Sequence, residues 1–222
     1  MPRNNRRILA GIAAATLTGF WLFWPFTPGA ALSAQAFAVR YETALPAPSG
    51  PQKVFHLGHS LVGRDMPAML AALAGHDHAS QLGWGASLQN HWQDVVAGFA
   101  TENTHPDYRP AASVDHGGYD AVILTEMVEL RDAIRWHDSA SVLAQWAKRV
   151  RMANPNARIY LYETWHRLDD PAGWLARIDA DLPALWEAKL LRPAMAQPGI
   201  GTIYVIPGGR VMAAATRAIE AG

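Results

Sequence analysis

Ser60 is the side chain in this sequence with the clearest setting for chemistry. It ends the stretch Val54-Phe55-His56-Leu57-Gly58-His59-Ser60. Val54 to Leu57 is an apolar run with His56 as its only polar member, which predicts a buried strand. Gly58 permits a tight exit from that strand. Beyond Ser60, Met66, Met69, Leu70 and Leu73 recur at helical spacing within Asp65 to Gly75. A strand, a glycine turn, a serine and a helix together lift a hydroxyl to the carboxyl end of a sheet, beside a helix N-terminus. Such an end offers free backbone N–H groups and a positive partial charge. A serine nucleophile whose reaction builds an oxyanion needs that setting. Ser60 read simply as the helix N-cap fits the same residues, and the stretch alone leaves both readings open.

The elements that must position this serine follow in order. Gly83 and Gly85 flank Trp84 ahead of a helix-like segment through His91-Trp92, as in a loop whose backbone approaches a ligand. His76-Asp77-His78 reads as a solvated polar loop rather than a metal site, and residues 99 to 118 read as a long surface excursion. Tyr119 to Leu124 is a second buried strand, with Glu126 just past its end. Ser139 to Met152 is a helix stopped by Asn154-Pro155. Arg158 to Tyr162 is a third strand, leading into Glu163-Thr164-Trp165-His166. Trp174 to Leu191 is mostly helical, with Pro183 interrupting it. Thr202 to Ile206 is a fourth strand, closed by Pro207-Gly208-Gly209, and a last helix runs from Arg210.

Strands alternating with helices predict an α/β three-layer sandwich around a mostly parallel sheet. Ligands of such sheets sit outside the strands' carboxyl ends, where Ser60, Glu126, Glu163 to His166 and Gly208-Gly209 converge. His56, inside a strand, reads as a buried and satisfied histidine. His59, adjacent to the serine, reads as setting the turn.

The chain has 222 residues, 50% hydrophobic and 17% charged, with 19 acidic and 19 basic side chains. That balance suits one domain with a real core and gives no footing for a nucleic-acid partner. Without cysteine there is no disulfide framework and no thiolate chemistry. The nine Trp read mainly as packing residues.

Arg3, Arg6 and Arg7 precede an uncharged apolar run from Ile8 to Trp24, and Ala36-Phe37-Ala38 has the A-x-A form of a leader cleavage site. The expected organisation is a signal peptide or membrane anchor over 1–38, a Pro-rich linker over 39–52 and an α/β domain over 53–222. At 17 residues the run is near the lower limit for a spanning helix, so attachment to a membrane through residues 8–24 stands beside cleavage. Either way the domain is expected to be exported.

Gly58-His59-Ser60 resembles the first block of the SGNH (GDSL-like) serine hydrolases, in the branch reading G-[HN]-S. Gly85, with His91-Trp92 behind it, is similar to their second block, and Glu126 falls where the third block carries an Asn. The resemblance implies Ser60 as nucleophile, the N–H groups of Ser60 and Gly85 as oxyanion donors, no metal or organic cofactor, and a small-molecule or carbohydrate ester as substrate. Glu126 matches by position alone, because an ionised carboxylate cannot donate to an oxyanion. The family's D-x-x-H block, which supplies the base, has no counterpart: no Asp follows Asp181 and no His follows His166. One expectation is that this pair and the last sheet-covering helix lie beyond Gly222. The other is that His166 serves as base, with Trp165 shaping the pocket. The expected function is an exported ester hydrolase, with a catalytically inert binding domain for a glycan or protein partner as the alternative.

Overall fold

The computed structural model describes residues 26–50, 52–103, 114–115 and 118–222. Five strands form one all-parallel sheet in the order β2-β1-β3-β4-β5: β1 Lys53–Gly58, β2 Asp77–Leu82, β3 Ala121–Thr125, β4 Arg158–Tyr162 and β5 Ile203–Ile206. The predicted α/β three-layer sandwich is therefore the architecture observed.

One face of the sheet carries Phe55, Leu57, Val122, Leu124, Ile159, Leu161 and Ile203, all essentially inaccessible to solvent. Against it pack α3 (Leu88–Trp92), α5 (Leu130–Trp136), α6 (Ser139–Ala153) and the helical run that α7 (Trp174–Asp181) leads into, from Leu182 to α8 (Arg192–Met195). In α6, Val142, Leu143, Trp146, Ala147 and Val150 line one side at helical spacing, and that stripe is what the sheet buries. The other face is covered by α2 (Asp65–Ala74) and by α9 (Gly208–Ala221), with Val62, Leu82 and Tyr162 buried beneath them. Here α9 comes in very close. A Cβ on Gly208 would stand 2.4 Å from the Tyr162 ring, so only glycine fits. The helix expected from Arg210 after the last strand is thus present, beginning at Gly208. A short α4 (Phe99–Glu102) follows the loop after α3.

Two expectations are corrected. The His76-Asp77-His78 loop is instead the entry to β2, an edge strand whose polar sequence Asp-His-Ala-Ser-Gln-Leu hides its period. At Pro183, as expected, the α-helical geometry of α7 is interrupted, and the chain stays helical from Leu182 to Leu191 as a wider π-helical stretch. The domain also begins well before residue 53. Ala34–Tyr41 form a helix, α1, with Phe37 in the main core and Phe26 and Leu32 packed against it. The A-x-A triplet therefore lies inside an ordered helix. Residues 8–24 lie outside the described residues.

Candidate functional site

Ser60 stands in the turn after β1, exposed to solvent, with Val62 and Gly63 N–H groups both folding back onto the His59 carbonyl. It is not the helix cap. The position before α2 is Arg64, which makes no side-chain capping bond, and the Ser60 hydroxyl forms no hydrogen bond among the described residues. Of the two readings of Ser60, the helix cap is excluded.

Two buried histidines hold this turn from below. His59 accepts the Leu61 N–H on Nδ1 (3.3 Å) and donates from Nε2 to the Glu126 carbonyl oxygen (2.9 Å). His91 donates from Nε2 to the Gly58 carbonyl (2.9 Å) and accepts from the Gln81 amide on Nδ1 (2.9 Å). Each ring uses one nitrogen as donor and the other as acceptor, the pattern of a neutral imidazole. Burial pushes both below the usual histidine range, His91 to about 4. His59 sets the turn, as its sequence position suggested. His91, buried in α3, was named only as part of the second block, and its bond to the Gly58 carbonyl was not foreseen. Gly58 has no room for a side chain, since a Cβ would stand 2.7 Å from Val62 and 3.0 Å from Thr125.

The second loop runs beside the first. β1 and β2 stay in register to Gly58 and Leu82, and the Gly83 N–H bonds the Gly58 carbonyl (3.1 Å). Gly85 therefore follows Gly83 as Ser60 follows Gly58, on strands about 4.8 Å apart. Its φ of +57° is the left-handed conformation that glycine adopts without strain. Among the described residues neither the Ser60 nor the Gly85 N–H has a hydrogen-bond partner, whereas the intervening Trp84 N–H is taken by the Ala97 carbonyl. The Trp84 indole lies exposed on this rim, its Nε1–H donating to Glu102 (2.8 Å), and Glu102 also faces Arg64 (3.7 Å). Trp165 is half-buried and packs with Val62, Leu82 and Tyr162.

Glu126 does not belong on that wall. It is fully buried, and its Oε1 accepts the N–H groups of Met127 (2.8 Å) and Leu88 (3.1 Å) at the start of α3. Burial raises its pKa. Its carboxyl pins α3, and its carbonyl holds His59: it is a positioning residue rather than an oxyanion or substrate contact. Glu163 similarly turns its Oε2 to the Arg210 N–H at the start of α9 (3.3 Å).

His166 is held elsewhere. Its Nε2 faces Asp181 Oδ2 at 3.2 Å, inside a cluster built on buried Arg177, whose guanidinium bonds Glu129 (2.8 and 2.9 Å), Asp170 (2.6 Å) and Asp181 (3.0 Å). Adjacent Trp165 turns to the Ser60 turn while His166 turns to α7. Burial first, then the Arg177 charge, lowers the His166 pKa, opposed by Asp181, Glu129 and Asp170. Trp165 thus packs beside Val62 of the Ser60 turn, Glu126 lies buried where its carbonyl holds that turn through His59, and His166 is engaged by Asp181. Asp181 as the partner of His166 carried no sequence signal, because the two residues belong to different elements.

His56 is buried as expected, but neither ring nitrogen has a hydrogen-bond partner among the described residues. A cleft of about 330 Å³ lined by Arg151, Arg158, Thr202 and Tyr204 opens at the opposite, amino-terminal edge of the sheet. No protein family, curated protein or solved structure matches this chain.

Proposed function

We propose that this chain is the nucleophile-bearing part of an exported serine ester hydrolase of SGNH type, with Ser60 attacking the ester carbonyl. The observation that carries the reading is an exposed hydroxyl, free of any capping role, on a turn braced by His59, Gly58 and His91. The unoccupied N–H groups of Ser60 and Gly85 supply the oxyanion donors such an attack requires. As the carbonyl oxygen gains charge, those amides donate to it. The Ser60 proton must pass to a base, and then to the leaving alkoxide.

Among the described residues no imidazole is hydrogen-bonded to Ser60, and His166 already engages Asp181. The base for Ser60 is therefore left unassigned among the described residues, with His166, after β4, the one candidate that the sequence offers. Trp84 and Trp165 offer apolar surface on either side of the serine, which suits an acylated sugar. The test is labelling by a fluorophosphonate probe of the chain together with whatever follows Gly222 in its reading frame. Adduct on Ser60, lost in Ser60→Ala, supports the hydrolase. Absence of adduct from the folded protein favours an inert binding domain.

A further inference from the structure

We infer that residues 8–24 remain attached as a membrane anchor, and that the domain stands on the bilayer by the amino-terminal edge of its sheet, with Ser60 facing away. The first support is that the fold needs what cleavage at Ala38 removes. Ser33 caps α1 by accepting the Ala36 N–H (3.1 Å), and Phe37 is in the core, stacked on Tyr41 at 5.1 Å. Ahead of α1, a strap is bonded along its length. Thr27 N–H donates to Gln197 Oε1 (3.0 Å), Leu32 N–H donates to the Arg192 carbonyl (3.1 Å), and Arg192 Nε donates back to the Leu32 carbonyl (2.6 Å). Arg40 adds a bond to the Met195 carbonyl (3.0 Å).

The second support is where the strap docks. Arg192 to Gln197 end a helix that runs back from the carboxyl edge, and they lead into the start of β5. They belong to the edge opposite Ser60, about 20 Å away across a six-residue strand. Only Pro25 separates the apolar run ending at Trp24 from docked Phe26 in the sequence. Arg3, Arg6 and Arg7 before the run set its start on the cytoplasmic side, and Trp21 and Trp24 suit the outer interface.

The third support is the placement of charge. Arg40, Arg151, Arg158 and Arg192 at this edge all donate to backbone carbonyls, of Met195, of Ile200 and Ala157, of Pro46 and of Leu32. Carbonyl bonds fix a guanidinium without cancelling its charge, so these arginines, interspersed with Asp77 and Asp120 at the same edge, are available to anionic phospholipid headgroups. Substrate then reaches Ser60 from the aqueous side. That consequence alone rests on the hydrolase reading, and it favours a soluble acylated glycan over a lipid of the same bilayer.

The absence of cysteine makes single-cysteine reporters clean. The full chain, expressed in a bacterial envelope, is expected in the membrane fraction after carbonate washing, with an intact mass that retains residues 8–38. In vesicles containing anionic phospholipid, a fluorophore on Asn156→Cys, at the amino-terminal edge, is expected to be quenched by headgroup-labelled lipid at least threefold more than one on Gln93→Cys, past α3. A chain starting at Phe26 is expected to fold and stay in solution, and one starting at Val39 to lose cooperative unfolding. A soluble, folded product beginning at Val39, or stronger quenching at Gln93→Cys, overturns the inference. Both readouts are indifferent to catalysis, so they stand or fall apart from the hydrolase reading.

Discussion

His59 Nε2 donates to the carbonyl oxygen of Glu126 at 2.9 Å, and this bond ties the turn carrying Ser60 to the end of the neighbouring strand. The adjacent side chain is thus spent on geometry, and Ser60 is left with the chemistry. Replacing His59 with Ala should leave a buried cavity and an orphaned carbonyl, costing about 2–4 kcal/mol. Urea unfolding measures it, and a loss under 0.5 kcal/mol would show that the turn is braced without His59.

Ser60→Ala separates the two roles of a serine in this place. A helix cap costs about 1 kcal/mol when truncated, whereas an exposed, unbonded hydroxyl should cost less than about 0.5 kcal/mol. The expected result is an unchanged unfolding midpoint together with complete loss of fluorophosphonate labelling. A drop of 1 kcal/mol or more contradicts the geometry described for α2.

His56 provides a pH test. Burial, with smaller contributions from His78 and His76, depresses its pKa from 6.5 to about 4. A histidine lowered in the folded state contributes stability that is present above the unfolded pKa and lost as pH falls toward the folded one. Between pH 6.5 and about 4 the unfolded chain takes up the proton and the folded chain does not. At pH 5 this amounts to about 2 kcal/mol. His56→Leu removes that loss and also two unpartnered ring nitrogens. It should be no less stable than the parent at pH 7.5 and more stable by about 2 kcal/mol at pH 5. Equal margins at both pH values would place the acid sensitivity in another group.

How much of this was legible depends on where each signal resides. The strands β1, β3 and β4 are interior, and β5, though at the other edge and half-buried, still reads Ile-Tyr-Val-Ile, so their apolar runs announce all four. β2 lies at the edge, its residues do not have to be apolar, and it passed as a loop. The small residues of α1 also have the form of a cleavage site, and the burial of Phe37 is what places this helix with the domain. The turn at Gly58-His59-Ser60 was readable because its glycine and serine act locally. The duties of Glu126 and His91 were not, since their partners Leu88 and Gly58 lie 38 and 33 residues away. His166 misled for the same reason: its partner sits on α7, and sequence offers no view of which way Trp165 and His166 turn.

Glu126→Gln tests the positioning role with the opposite pH sign. Burial is the largest influence on Glu126 and raises its pKa above the ordinary 4.5. A carboxyl raised in the folded state contributes stability that is present below the unfolded pKa and lost as pH rises through the folded one. Glutamine keeps a carbonyl oxygen for the Leu88 and Met127 N–H groups and carries no charge. The variant should match the parent near pH 4.5 and exceed it by about 1 kcal/mol or more at pH 8. If it is destabilised equally at both, the carboxylate charge at the α3 N-terminus outweighs its burial.

Arg177 gathers Glu129, Asp170 and Asp181 around one buried guanidinium, and it also depresses the pKa of His166. Arg177→Met leaves those carboxylates without their cation, at a cost of about 3 kcal/mol, softened by the partial exposure of Glu129. With the guanidinium gone, Asp181, Glu129 and Asp170 act alone on the imidazole, so the His166 pKa should rise. Asp181→Asn removes a carboxylate instead and should lower it further. Proton NMR titration of the His166 ring in the two variants gives shifts of opposite sign. If neither variant moves the titration, His166 lies outside this cluster, and its exclusion from the Ser60 site loses its basis.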